Sequence, residues 1–245
     1  MVDARGVQAV PAGEAGSVVD GVIQAMAMLA DTRDTDTGNH IRRTQRYVRA
    51  LAWKLCNHPR FQQVLTVPYI GLLFKAAPLH DIGKVGIPDR ILLKPGRLTA
   101  EEFEVMKTHS KLGHNAIAQA VVLAGDDEPL LRIASEITLC HHEKWDGSGY
   151  PQGLAGDAIP VSARLMALAD VYDALISRKV YKEPMSHEQA VDIITQVRGK
   201  HFDPDVVDAF VELESQFHAI AVSYGDSGED LQKKLDYLRI AQVAS

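Results

Sequence analysis

Helical periodicity is the feature that most limits what this chain can fold into. Over residues 18–30, and again over 40–55, apolar residues recur every three or four positions, the spacing that gathers them on one face of an α-helix. Residues 68–82 are apolar on nearly every side, which predicts a buried central helix. Strand-like alternation never lasts more than a few residues, so we predict an all-α fold.

Helix-start patterns divide the rest of the chain. Thr99 and Glu102 have the spacing of a capping box, and Asp203 precedes a proline at a first helical position. Further helices are predicted over 112–123, 130–142, 162–177, 186–197 and 204–221. We expect one domain over residues 17–224, after a linker or cloning remnant at 1–16 and before a turn and short helix at 225–245.

Composition restricts the class of protein. Apolar residues make up 46% of the 245 residues and charged residues 24%, enough for a sizeable core. The net charge of −6 argues against nucleic-acid binding, which needs a basic face. Two cysteines favour a reducing compartment, so the predicted location is the cytoplasm. No secretory signal and no membrane span is expected.

Histidines and carboxylates gather at helix ends and at apolar positions. Imidazole and carboxylate together suit Fe, Mn, Ni or Zn better than Ca or Mg, which prefer oxygen alone. Any one of these residues would more often be a core or cap residue, but eight together predict a metal centre. His109 is expected at a helix end, and Asp170 within an apolar helix. The candidates are Asp36, His40, His80, Asp81, His109, His141, His142 and Asp170.

A glycine-rich stretch follows directly after two of these histidines. Residues 146–160, DGSGYPQGLAGDAIP, contain four glycines and two prolines, which predicts an ordered loop. Gly147, Gly149 and Gly153 are expected to permit positive backbone angles or close approach of another group.

The combined pattern resembles the HD-GYP family, the metal-dependent cyclic di-GMP phosphodiesterases of the HD superfamily. It comprises HDIGK at 80–84, His109, HHEKWDGSGYP at 141–151 and Asp170, and extends over about residues 18–213. The resemblance implies an HD-type helical bundle with the glycine-rich GYP loop at the active site.

The resemblance also implies a metal cluster held by the candidate residues, with Asp81 bridging two ions. Asp36 stands where three-metal members carry Glu. Because its side chain is one methylene shorter, we expect two divalent ions (Fe, Mn or Ni, with Zn as an alternative) and at most a weak third site. Asp173 and Glu143 are expected to orient ligands from outside the cluster.

Substrate contacts are implied at five positions. By resemblance, Lys84 contacts the scissile phosphate and Lys182 another phosphate, whereas Lys179 replaces the usual Arg and loses its planar fork. The Tyr150 hydroxyl is expected to reach the phosphate, and Gly149 is expected to contact the bound substrate. The alternatives are a surface lysine at 84 and a tyrosine that packs beside Trp145.

The leading hypothesis is hydrolysis of cyclic di-GMP to pGpG, with GMP as the alternative end product, by a hydroxide that bridges two metal ions. A second hypothesis, supported by Asp36 and Lys179, is a degenerate domain that binds cyclic di-GMP or a protein without useful turnover. A third is a mononucleotide phosphohydrolase, which the GYP loop and Lys182 disfavour. An upstream sensory or receiver domain and a homodimer formed through residues 18–30 are the expected protein partners.

Overall fold

The computed structural model describes residues 18–33, 38–124, 128–177, 184–230, 232 and 234–236. Over these residues the chain forms α-helices, short 3-10 helices and two isolated β-bridges, without a strand, so the all-α prediction is confirmed. The helices are α1 (Val18–Thr32), α2 (Gly38–Leu55), α3 (Val67–Ala76), α4 (Asp89–Leu92), α5 (Ala100–Ala124), α6 (Pro129–Cys140), α7 (Val161–Ile176), α8 (His187–Gln196), α9 (Pro204–Glu212) and α10 (Glu214–Ser223).

The core is built around α2 and α7, which pack against each other. Tyr47 of α2 stacks on Phe217 at 4.5 Å between ring centroids, and Tyr172 of α7 meets both rings edge-on. All three side chains are fully buried, and each large apolar side chain stabilises the fold by about 1.5–3 kcal/mol. The two helices that carry His40 and Asp170 are therefore fixed relative to each other.

The predicted helix over 68–82 is wrong beyond Ala76. Pro78 lacks an N–H and cannot continue the α-helical ladder, so the chain passes into the 3-10 helices Ala77–Leu79 and Ile82–Gly86. The carbonyl of Phe74, which an N–H at position 78 would have met, instead accepts a hydrogen bond from Gln45 at 2.8 Å. His80 and Asp81 consequently lie in the tight junction between the two 3-10 helices.

The placement of His109 at a helix end is also wrong, because α5 runs unbroken from Ala100 to Ala124 with His109 in its middle. The apolar pattern is interrupted there because the polar residues His109 and Ser110 lie on the buried face of the helix. The predicted capping box is confirmed. The Glu102 carboxylate accepts from the Thr99 N–H at 2.7 Å, and the Glu102 N–H donates to the Thr99 hydroxyl at 3.3 Å.

The predicted helix over 204–221 divides into α9 and α10 at Leu213, whose backbone leaves the helical region (φ −106°, ψ 6°). The break lets Phe210 and Phe217 meet edge-on at 4.9 Å in the aromatic core. The predicted N-cap is confirmed, since the Asp203 carboxylate accepts from the Asp205 N–H. Among the helices described, none combines the length and the hydropathy that crossing a bilayer requires.

Candidate metal centre

Seven of the eight candidate ligands converge in the interior of the bundle. They form two groups, and within each group one ligand atom from every residue lies within 4.8 Å of the others. The four-residue group comprises Asp81, His109, His141 and His142, and the three-residue group comprises His40, His80 and Asp170.

Five separate segments bring these side chains together. His40 comes from the first turn of α2, His109 from the middle of α5 and Asp170 from α7, whereas His141 and His142 follow directly after α6. Gly83 allows the 3-10 segment beside Asp81 to lie against α5, because a Cβ at position 83 would collide with the carbonyl oxygen of His109.

Asp81 joins the two groups through its two carboxylate oxygens. Its Oδ1 lies 3.3 Å from Nε2 of His109 and 3.7 Å from Nε2 of His141, whereas its Oδ2 lies 3.2 Å from Nε2 of His80. Within the three-residue group, the Nε2 atoms of His40 and His80 are 3.3 Å apart. One carboxylate therefore presents an oxygen to each group, which is the arrangement needed to bridge two ions.

The ring orientation of three histidines is set by the backbone. The Nδ1 atoms of His80, His109 and His141 lie 3.0, 2.7 and 2.9 Å from carbonyl oxygens three or four residues earlier in the chain. Since a carbonyl can only accept, each Nδ1 carries a proton, and Nε2 is the ring nitrogen left to act as a metal ligand. These Nε2 atoms point into the cluster, toward the Asp81 carboxylate.

Three atoms at the centre fit a metal ion. Asp81 Oδ1, His109 Nε2 and His141 Nε2 are buried and make no hydrogen bond to any residue that the structure describes. A buried polar atom left unsatisfied costs about 1–3 kcal/mol, and three acceptor atoms facing each other cannot satisfy one another. Cations placed among them would remove this cost, so the residues present fit a divalent metal centre.

Protonation states also suit metal binding. Burial lowers the pKa of His109 to about 4 and holds the pKa of His142 well below its ordinary value. Burial opposes the charge of Asp81, but the nearby Lys84 and His80 outweigh it and keep the pKa of the Asp81 carboxyl well below its usual range. At neutral pH His109 and His142 therefore offer neutral imidazoles and Asp81 offers an ionised carboxylate, as metal ligation requires.

Lys84 and Tyr150 border the cluster. The Lys84 ammonium lies 2.7 Å from Asp81 Oδ2, so this lysine is not simply a surface residue. The Tyr150 ring stacks on His142 at 4.7 Å and meets Phe103 edge-on. Burial and the Asp81 charge raise the pKa of the Tyr150 phenol, which keeps its hydroxyl protonated and able to donate.

A family model described as the HD domain matches residues 24–206. This chain belongs to the HD domain family. Curated relatives confirm the predicted membership of the HD-GYP family. A solved structure shares the fold, which confirms the predicted HD-type helical bundle.

Two relatives from Vibrio cholerae serotype O1 are similar to most of this HD domain. One, named "Probable cyclic di-GMP phosphodiesterase", is 58% identical over 214 residues, which is 87% of this chain and 48% of the relative. The other, named "Cyclic di-GMP phosphodiesterase", is 56% identical over 208 residues, which is 85% of this chain and 42% of the relative. This chain thus spans less than half the length of either relative.

The structure of a cyclic GMP-AMP-specific phosphodiesterase from V. cholerae shares the fold. It superposes with a TM-score of 0.54 at 17% identity, over 88% of this chain and 53% of the other.

In this HD domain, Glu143 holds the glycine-rich loop. Its carboxylate accepts from the N–H groups of Gln152 and Leu154 at 2.8 and 3.0 Å, so the structure assigns it to loop support instead of the expected orientation of a ligand. At Gly149 the space for a Cβ is filled by the chain's own backbone at residues 143 and 144. Its predicted contact with substrate stays a prediction.

The HD domain also contains a buried arginine beside the cluster that was not predicted from the sequence. Asp173 Oδ2 lies 2.8 Å from His40 Nδ1, which confirms the expected contact with a ligand, and Arg43 donates to both oxygens of Asp173. Arg43 is one helical turn from His40 and lies on the face of α2 that carries Tyr47. An arginine at such a position needs a buried partner, and this was the available signal.

Three predicted site residues, Asp36, Lys179 and Lys182, lie outside the described residues. Their roles stay predictions. His114, which the sequence argument set apart from the cluster, meets Ser135 at 2.8 Å from its Nδ1.

Proposed function

We propose that this chain is a metal-dependent phosphodiesterase that hydrolyses cyclic di-GMP to pGpG, with GMP as the alternative end product. The observation that carries the proposal is the pair of ligand groups joined by Asp81, with buried atoms at their centre that have a lone pair for a metal and no hydrogen-bond partner among the described residues. The names of the two V. cholerae relatives support the choice of substrate.

The two ligand groups would each hold one divalent ion, with Fe, Mn or Ni as the proposed metals. When bound, the ions would lower the pKa of water enough to supply a nucleophile at neutral pH and would attract the phosphate oxygens. Asp81, which presents one oxygen to each group, would hold both ions. Asp36 would add only a weak third site.

Lys84 and Tyr150 act on the substrate phosphate in this proposal. The Lys84 ammonium, already beside Asp81, would stabilise the negative charge that develops on the phosphate and on the leaving oxygen. The Tyr150 hydroxyl, held protonated by burial, would donate to a phosphate oxygen. Lys179 and Lys182 would neutralise the second phosphate, and Gly149 would form part of the wall of the nucleotide-binding site.

The test is turnover by protein loaded with a defined metal. Protein prepared without oxygen and loaded with Fe²⁺, Mn²⁺ or Ni²⁺ is given cyclic di-GMP, cyclic GMP-AMP or GMP, and products are separated by chromatography. We expect pGpG from cyclic di-GMP. Binding of cyclic di-GMP without linear product under all three metals would contradict hydrolysis and favour a degenerate domain. Turnover of mononucleotides alone would favour a different phosphohydrolase.

A further inference from the structure

One buried guanidinium connects the C-terminal turn to the metal centre. Arg43 is 3% exposed. Its Nε and Nη2 donate to the two oxygens of Asp173 at 2.6 and 2.9 Å, and Nη2 also reaches the Ser177 hydroxyl at 2.8 Å. Its Nη1 donates to the Tyr224 carbonyl at 2.8 Å and to the Asp226 carboxylate at 3.2 Å. A single side chain thus joins α2, α7 and the turn after α10.

His40 depends on this connection in a way that the other oriented histidines do not. His80, His109 and His141 are oriented by carbonyls three or four residues away. His40 is oriented by the Asp173 carboxylate, from a helix 133 residues along the chain. The Asp173 carboxylate is buried, and its two oxygens lie within hydrogen-bond distance of His40 and of two Arg43 nitrogens. Without Arg43, Asp173 would be a poorly compensated buried charge.

The C-terminal turn is itself tied to the start of α2 and the end of α1. The Arg46 guanidinium lies 4.0 Å from the centre of the Tyr224 ring, and the Asn39 amide donates to the Gly225 carbonyl at 3.4 Å. Further along, the Lys234 ammonium donates to the Asp31 carbonyl at 2.9 Å. This segment therefore contacts both helices that flank residues 34–37.

We propose that Arg43 and the turn at residues 224–226 are positioning elements for the metal ligand His40. Arg43 fixes the Asp173 carboxylate, and Asp173 fixes the tautomer and the ring angle of His40. Asp226 completes the set of acceptors around Arg43. This inference rests on the proposed metal-dependent function, and it assigns the residues 225–226 to the site instead of to an appendage.

The test measures Mn²⁺ affinity at the two positions separately. Metal-free protein is titrated with Mn²⁺ by calorimetry, and His40→Ala marks which binding class belongs to the three-residue group. Arg43→Lys keeps the charge but loses the planar fork. We expect the Mn²⁺ affinity of the three-residue group to fall about 10–100-fold, which is the usual effect of removing a residue that orients a metal ligand. The Mn²⁺ affinity of the four-residue group should change by less than about twofold.

Two variants of the turn complete the design. Asp226→Asn should lower the Mn²⁺ affinity of the three-residue group about threefold. The effect is small because the asparagine oxygen can still accept from Arg43, although the charge is lost. Asp230→Asn is the matched control, because Asp230 belongs to the same segment but accepts from Ser227. We expect wild-type affinities for this control.

The outcomes separate the possibilities. Unchanged Mn²⁺ affinities in Arg43→Lys, or equal weakening of both classes, would overturn the positioning role. If Arg43→Lys does not fold, Asp226→Asn decides, and wild-type affinity in that variant would overturn the inference. If the wild-type protein binds no Mn²⁺, Fe²⁺ or Ni²⁺, the proposed function fails and the inference fails with it. If the wild type shows two classes of Mn²⁺ site and neither variant changes their affinities, the inference fails but the proposed function stands.

Discussion

Asp81 is the residue on which both ligand groups converge. Each of its oxygens lies against histidines of a different group, and Lys84 holds one of them at 2.7 Å. Such a residue cannot be replaced by a neutral isostere, because an amide nitrogen carries no lone pair for a metal.

We expect Asp81→Asn to lose metal at both positions and to lower turnover about 10³-fold, since metal stabilisation of a phosphoryl transition state is worth several kcal/mol. Metal content measured after desalting, beside turnover, checks this. Asp170→Asn is the comparison, because it belongs to one group only and should release one ion. Two ions retained in Asp81→Asn would show that the bridging role is wrong.

Lys84 should affect chemistry more than metal binding. In Lys84→Gln we expect kcat to fall about 10²-fold, the size of one lost transition-state donor, while the metal content stays at two ions. Turnover measured at saturating cyclic di-GMP, with metal analysis of the same sample, tests this. Loss of metal in step with kcat would mean that Lys84 supports Asp81 instead of the phosphate.

At the scale of elements, the close contact of the 3-10 segment with α5 decides where Asp81 lies. Gly83 is required there because a Cβ would strike backbone atoms of α5, whereas Gly71 in α3 has open space around its Cβ position. We expect Gly83→Ala to destabilise the protein by about 1–3 kcal/mol and to reduce metal affinity.

Gly71→Ala is the matched control and should be neutral or stabilising by up to about 1 kcal/mol, since alanine favours the helix. Urea unfolding of both variants gives the comparison. Equal stability of the two variants would contradict the close packing at Gly83.

The same scale shows what sequence patterns can and cannot predict. Periodicity and caps located the helices because those signals lie within one turn of chain. These signals failed at Pro78, where the chain continues as a 3-10 helix. They also failed near His109, where the polar residues His109 and Ser110 take the place of apolar residues on the buried face. The ligand set followed from a recognisable motif. Arg43 was missed because its acceptors at Asp173 and Asp226 are 130 and 183 positions away.

At the scale of the whole molecule, the residues that enter the glycine-rich loop are hydrogen-bonded to residues 200 and 201, between α8 and α9, and His201 gives stability a pH dependence. Trp145 N–H donates to the His201 carbonyl at 3.0 Å. Burial and the nearby Lys144 charge lower the pKa of His201 to about 4 from 6.5. Between these pH values the unfolded chain binds a proton that the folded chain does not, so stability falls as pH falls through this window.

We expect the free energy of unfolding to decrease more between pH 7 and pH 4.5 in the wild type than in His201→Gln. The difference in slope should lie below the roughly 1.4 kcal/mol per pH unit of one full proton, because the ring is partly exposed. Urea unfolding at matched pH values and saturating metal measures both proteins. Parallel pH profiles would show that His201 does not contribute.

The net charge of −6 describes the chain without its ions. Two divalent cations would add four positive charges and bring the total to −2, with the gain concentrated beside Lys84. An acidic protein can thus attract a dianionic nucleotide, because the local potential matters more than the sum.

The order of the ligands along the chain has a consequence for biosynthesis. All four residues of one group lie between Asp81 and His142, whereas the other group needs His40 and Asp170, and the orientation of His40 depends on a turn near residue 226. A chain emerging from the ribosome presents every ligand of the first group before the last ligand of the second has been made. The ligands of the first group are therefore all synthesised before the second group is complete, and the C-terminal turn that contacts Arg43 is synthesised after both.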